Sequence, residues 1–186
     1  MIIDPESDIA ASVTLERPTI REATPDDVPE LARLFLASVD TSLPGVKFSH
    51  LPGYDLPSIE SHLQNRLFPP PAVQTVCLEA AGSREILGYA SVKSKHSEED
   101  ETEPELDMFF VKVGRSGRVY GGMLMQGVRE RWRETGVRVK VFTRNERAIN
   151  FYRKWGFVTT DAEELEFGEG TGRQKELVYV MRWRVA

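Results

Sequence analysis

The chain has 186 residues, 40% of them hydrophobic, with 24 lysines and arginines against 29 aspartates and glutamates and a formal net charge of −5. That length supports one sizeable core and is short for two. The acidic balance argues against a surface built to neutralise many phosphates, so nucleic acid is not expected as a primary partner. The single cysteine, Cys77, excludes an intramolecular disulfide and a multi-thiolate metal site, and it fits a reducing compartment, cytoplasmic or nuclear.

Residues 1–17 hold Asp4, Glu6, Asp8 and Glu16 without a long apolar run, which is unlike a secretory or transit signal. They are expected to be a disordered leader to one domain over residues 18–186. No stretch approaches the ~20 apolar residues of a membrane helix. The three histidines, His50, His62 and His96, are scattered, so no metal site is expected.

Alternation over residues 19–22 predicts a short strand. Thr24-Pro25-Asp26-Asp27 then reads as a helix start, with Val28, Leu31, Leu34, Phe35 and Val39 following at helical spacing. Residues 40–71 are rich in Pro, Gly and Ser around one helical segment, 57–67, and either form a lid or are an ordered surface excursion. Residues 74–81 and 86–95 predict an antiparallel hairpin. An acidic run, 97–104, leads to a strand over 105–113 whose unbroken apolar stretch predicts burial on both faces. A helix over 119–135 places Tyr120, Leu124, Val128 and Trp132 four residues apart and stops at Gly136. A strand over 137–143, a helix over 147–155 and strands over 157–167 and 174–183 complete the chain.

Two stretches carry chemistry. In the first, an apolar strand runs through Gly114, Gly117, Gly121 and Gly122 into a helix. Such a turn presents free N–H groups and a positive dipole end that suit a pyrophosphate, with Arg115 and Arg118 adding charge, although strand-glycine-helix is also an ordinary corner. The second stretch runs from Asn145 to Phe157. Together they resemble the GNAT N-acetyltransferase superfamily, whose members show a turn of the form Gln/Arg-x-x-Gly-x-Gly/Ala and later Asn-x-x-Ala-x-x-Phe-Tyr-x-x-x-Gly-Phe. The later pattern is matched at Asn145, Ala148, Phe151, Tyr152, Gly156 and Phe157. The earlier one is matched at Gly117 and Gly121 but departs at Ser116 and Val119, where a side chain would crowd a pyrophosphate if φ were positive.

The resemblance implies a single α+β domain with a mixed, mostly antiparallel sheet of six to seven strands, about four helices and a splayed parallel pair near 106–113 and 137–143. It implies acetyl-CoA as cosubstrate and no metal. The backbone of Phe110, Val111 and Val113 would hold the pantetheine. The N–H groups of Ser116, Gly117, Arg118, Val119, Tyr120, Gly121 and Gly122 would hold the pyrophosphate, and Asn145 would contact the cofactor arm or simply cap its helix. Tyr152 would give a proton to the departing thiolate and the Val111 N–H would meet the oxyanion. Glu105, eleven residues before Ser116, stands where some members carry a catalytic glutamate; Asp107, two residues on, is expected on the same face of the strand. The implied reaction moves an acetyl group to a primary amine, on a small molecule or a peptide, by direct attack in a ternary complex. The alternative, suggested by Ser116 and Val119, is an acyl-CoA-binding regulatory or interaction module with weakened catalysis. The acidic run could attract a cationic amine or be a solvated loop. Phe48, His50, Tyr54 and His62 could shape the acceptor side, and monomer and homodimer are both open.

Overall fold

Two apolar periods, every second residue in strands and every third or fourth in helices, give this chain a sheet with two faces to cover. The computed structural model describes residues 17–68, 73–94, 96–97, 100–101, 103–112, 114, 117–167 and 173–183; the expected leader up to residue 16 lies outside these. The strands are β1 (Thr19–Glu22), β2 (Val73–Glu79), β3 (Ile86–Lys93), the short β4 (His96–Ser97) and β5 (Asp100–Glu101), β6 (Glu105–Val111), β7 (Val137–Phe142), β8 (Val158–Phe167) and β9 (Gln174–Trp183). The helices are α1 (Val28–Val39), α2 (Leu56–Leu67), α3 (Gly117–Arg131) and α4 (Glu146–Lys154). The acidic connection is thus more than a loop, since β4 and β5 pair within it.

Seven strands form the main sheet in the order β1-β2-β3-β6-β7-β9-β8. Only β6 and β7 run parallel. Helices α1 and α2 cover one face, where Leu31, Ala32, Ile59 and Leu63 pack with Cys77, Tyr89 and Met108. Burial pushes the Cys77 thiol up to about 12, so it sits in this core as a neutral, inert group. Leu124, Met125 and Val128 of α3 and Ile149 and Tyr152 of α4 cover the other face, over Val76, Leu78, Val92, Leu106 and Val139. The connection between α1 and α2 is anchored by a third cluster in which Val39, Leu43 and Phe48 meet Phe142 and Phe167 at the far ends of β7 and β8.

The helix starts follow their sequence signals with one change. Asp55 caps α2 by accepting from the Ser58 N–H at 3.0 Å. At Thr24 the N–H donates to the Asp27 carboxylate at 2.8 Å, while Arg21 grips the same carboxylate from β1. Helix α3 opens two residues before its predicted start, at Gly117.

Strand β6 departs from expectation in two ways. Only Leu106 and Met108 are buried, while Phe109, Phe110 and Val111 are half-buried because they border an opening between β6 and β7. The apolar run therefore lines a gap instead of filling a doubly covered strand. The register also skips a residue: Ser91 faces Met108 and Val92 faces Leu106, which leaves Asp107 as a bulge. In consequence Leu106 and Met108, two residues apart, enter cores on opposite faces of the sheet. Glu105 and Asp107 nevertheless line one and the same cavity, as expected of two residues on one face.

At Gly88 the close approach of β3 to β6 leaves no room: an added Cβ would sit 2.8 Å from the Phe110 carbonyl oxygen. At Gly127 it would meet only the end of the Ile20 side chain, which can rotate away. Gly88→Ala is therefore expected to destabilise the protein by about 1–3 kcal/mol, and Gly127→Ala by clearly less, because helix propensity offsets part of the clash. Urea denaturation of both variants checks the order.

Candidate active site

The parallel ladder between β6 and β7 holds for two pairs, Glu105 with Arg138 and Leu106 with Val139, and then ends. Further along, β6 stays paired with β3. The Lys112 N–H donates to the Leu87 carbonyl at 2.8 Å, and by strand alternation Phe110 turns its main chain toward Tyr89 while Phe109 and Val111 turn theirs to the gap. Phe110 was expected to offer main chain to a ligand; its ring, not its amide, reaches the opening. The Ser38 hydroxyl donates to the Val111 carbonyl at 3.2 Å, so the Val111 N–H is the group facing the gap. Val113 and Ser116 lie outside the described residues.

Two cavities open on the gap. One, of about 960 Å³, runs toward α3 and is bordered by Val111, Lys112, Gly114, Gly121, Gly122, Arg147, Lys154 and Trp155. Helix α3 points its first turn, Gly117 to Tyr120, with its free N–H groups, from the end of the β6–α3 turn. Gly121 and Gly122 line this cavity, and a Cβ at either would come no closer than 3.4 Å to Phe151 or 3.7 Å to Trp155. Val119 is 57% exposed and lies within the helix, outside the positive-φ region where a side chain would be strained. The strain expected from a positive φ at this position is therefore absent. Arg147 and Lys154, with Lys112 paired to Glu85 beside them, give the cavity a cationic rim that carried no signal in the sequence.

The second cavity, of about 470 Å³, lies on the α1–α2 side of the gap. The two share a neck of Ser42, Phe109, Phe110, Asn145, Ala148 and Tyr152. Asn145 caps α4, its side-chain oxygen accepting from the Ala148 N–H at 3.1 Å. That oxygen is spent, and the amide nitrogen remains a donor for the neck. Tyr152, two turns on from Asn145, is 6% exposed and stacks edge-on with Phe109 and Phe157. Burial raises its pKa well above the ordinary 10.0, so the phenol stays protonated across the physiological range. Its hydroxyl makes no hydrogen bond among the described residues.

The second cavity is charged. Asp107, with 8% of its side chain exposed, accepts from Arg66 at 2.8 and 2.5 Å and pairs with Lys93 at 3.0 Å. Burial is the largest influence on Asp107 and pushes its pKa up; the bonds and charges of Arg66 and Lys93 together outweigh it, so the carboxyl lies below its ordinary 3.8. Beside it Arg138 holds Glu105 at 2.8 Å, directly across the ladder. Period two on β7 explains the placement: Val137, Val139 and Val141 go to the core, and Arg138, Lys140 and Phe142 to the cavity. Arg66 and Lys93 carried no sequence signal, because a long loop and the bulge at Asp107 bring them together. Of the acceptor-side residues suggested by the sequence, Phe48 and Tyr54 pack in the aromatic cluster that anchors the α1–α2 connection, with ring centroids 5.4 Å apart.

Among the described residues there is no group of acidic, histidine or cysteine side chains arranged to hold a metal, and no helix is long and apolar enough to cross a membrane. The sequence model of the acetyltransferase (GNAT) domain matches residues 73–159. A search of curated proteins finds no match. Among solved structures, the chain is similar to ribosomal-protein-alanine N-acetyltransferase from Brucella melitensis, at 23% identity over 90% of this chain and 99% of that one, with a TM-score of 0.64. It is similar to the putative acetyltransferase yncA from Salmonella typhimurium, solved with its cofactor acetyl-CoA, at 16% identity over 92% and 95%, TM-score 0.64. It is also similar to the paia N-acetyltransferase from Thermoplasma acidophilum in complex with coenzyme A, at 15% identity over 90% and 98%, TM-score 0.60. The mixed sheet with one parallel pair is the fold of these proteins, and the residues that match the acetyltransferase (GNAT) domain span its central strands and helices.

Proposed function

We propose that this protein is an N-acetyltransferase that moves the acetyl group of acetyl-CoA to a primary amine by direct attack within a ternary complex. The observation that carries the reading is the early end of the β6–β7 ladder, which turns the Val111 N–H to the larger cavity, next in sequence to Phe110 of the neck where the two cavities and Tyr152 meet. Two solved structures of similar fold hold acetyl-CoA or coenzyme A, and the groups present here fit that ligand. The freed edge of β6 borders room for the pantetheine arm, and the first turn of α3 offers N–H groups to a pyrophosphate. Gly121 and Gly122 keep the cradle open, and Arg147 and Lys154 match its negative charge.

Acetyl-CoA supplies an activated thioester; the chain supplies alignment and proton handling. The Val111 N–H faces the place where an oxyanion would develop, and a fixed backbone donor there needs no reorganisation. Tyr152, protonated and without a competing partner, is the group placed to give a proton to a departing thiolate. Glu105, six residues and roughly 20 Å of strand from Val111, is the carboxylate we assign to the amine proton only through intervening water; Arg138 holds its Oε2, so the proton would be received at Oε1. The reading of the chain as a binding module with weakened catalysis drew on Ser116 and Val119; at Val119 the backbone is helical, which removes the argument from a positive φ there.

Isothermal calorimetry of the wild type with acetyl-CoA should show saturable binding, and Gly121→Glu, which places a carboxylate in the pyrophosphate cradle, should abolish it. A folded wild type with no binding at millimolar acetyl-CoA overturns the proposal. Tyr152→Phe should keep acetyl-CoA affinity within about twofold and lower kcat by about a hundredfold, since no structural hydrogen bond is lost. Steady-state release of the CoA thiol measures this, and an unchanged kcat removes Tyr152 from the proton path.

A further inference from the structure

The acceptor cavity carries an excess of positive charge that the proposed reaction does not use. Its ionisable lining consists of Arg66, Lys93, Arg138 and Lys140 against Glu103, Glu105 and Asp107, in a chain whose overall charge is −5. Three of these partnerships are neutral pairs: Glu105 with Arg138, Lys140 with Glu163, and Glu103 with Arg182. The remaining one is not, because Arg66 and Lys93 share the single carboxylate of Asp107. Arg66 spends Nε and Nη2 on that carboxylate, which leaves its Nη1 edge uncommitted to it. Next to this corner the Nε of Arg138 is buried and has no hydrogen-bond partner among the described residues. A buried donor left in this state is costly, but it offers no surface to a ligand, so the donors an acceptor atom can reach at this corner are the free edge of Arg66 and the ammonium of Lys93.

We infer that the acetyl acceptor is a small amine that also carries a carboxylate, bound with its anionic end between Arg66 and Lys93 and its amine directed along β6 to the neck. This deepens the proposed acetyltransfer and rests on it. Asp107 lies four residues before Val111, roughly 13 Å at the rise of a strand. The long cationic side chains shorten that span, so the carboxylate and the amine of the acceptor are separated by several bonds, as in an ω-amino acid, and are not attached to one carbon. A polyamine fits poorly, since it would place a second ammonium against two cations that already compete for one carboxylate. A guanidinium and an ammonium presented together on one rigid wall suit a carboxylate, which accepts several charge-assisted bonds at once.

Matched acceptors test this. The full chain is assayed with acetyl-CoA and either 6-aminohexanoate, its primary amide, or 1,5-diaminopentane, with product identified by mass spectrometry. Acetyl-CoA binding is measured by calorimetry on the same preparation. We expect kcat/KM for the carboxylate to exceed that for the amide by about tenfold to a hundredfold. In Lys93→Gln, which keeps the Arg66–Asp107 pair and should fold, that ratio should collapse toward one through KM. Equal or better use of the amide or the diamine overturns the inference, as does a ratio unchanged in Lys93→Gln, or failure to acetylate any carboxylated amine while acetyl-CoA binds; the acetyltransfer reading survives the first two. Failure of acetyl-CoA to bind overturns both.

Discussion

Everything in this molecule that bears on chemistry depends on an unfinished hydrogen-bond ladder. An interior strand normally satisfies its peptide groups on both sides, because a buried N–H without a partner costs about 1–3 kcal/mol. Strand β6 does so toward β3 along its length but toward β7 only at Glu105 and Leu106. Past that point the chain cannot bury the freed edge, so the edge becomes the wall of an opening. The Ser38 hydroxyl takes the Val111 carbonyl, and the facing N–H remains for a ligand. The bulge at Asp107 stands at the start of the divergence, where it turns the strand and re-aims a carboxylate into the cavity.

Such a gap would close by hydrophobic collapse if flexible side chains bordered it. Aromatic rings hold it open. On one side Phe109 packs against Phe151 and Tyr152 at centroid distances of 5.4 and 6.2 Å. On the other, Phe110 packs against Phe35 at 5.1 Å, and Phe48, Phe142 and Phe167 form a cluster where β7 ends. These rings have few rotamers and bury large areas at little entropic cost. The Asn145 cap fixes where α4 begins, worth ~1 kcal/mol to the helix. It thereby sets the depth at which Tyr152 enters the neck.

The sequence made local elements legible and long-range meetings illegible. Helix periodicity and the Gly136 stop located α3, and the spacing from Asn145 to Phe157 located α4, its cap and its tyrosine, because those constraints act within a few turns. The mostly antiparallel sheet with one parallel pair followed from the family resemblance, and its strand order did not. The bulge could not be read: nothing in Leu106, Asp107 and Met108 announces that two of them face opposite cores, since that depends on the register β3 imposes. The charged corner was hidden for the same reason. Arg66, Lys93 and Asp107 come from three elements, and only the folded sheet makes them neighbours. Val119 shows the opposite error, a local rule about glycine applied where the backbone turned out to be helical and the side chain free to point outward.

The two ends of the opening handle charge differently, and the difference fits what each would hold. Arg147 and Lys154 on the α3 side form no ion pair among the described residues, so their field extends into solvent and can draw in a polyanion from a distance comparable to the Debye length, about 8 Å at physiological salt. On the other side nearly every cation already has a carboxylate, and what distinguishes the site is which donor remains unmatched. A field without compensation gives attraction with little geometric demand, which suits a large phosphate-bearing ligand also gripped by backbone along its length. A compensated network with a surplus at one corner attracts weakly at range but discriminates strongly at contact, because a wrongly placed charge must break an existing pair to enter. On the proposed reading, cofactor capture and acceptor choice would in this way be separated along one gap, with the buried phenol of Tyr152 at their boundary.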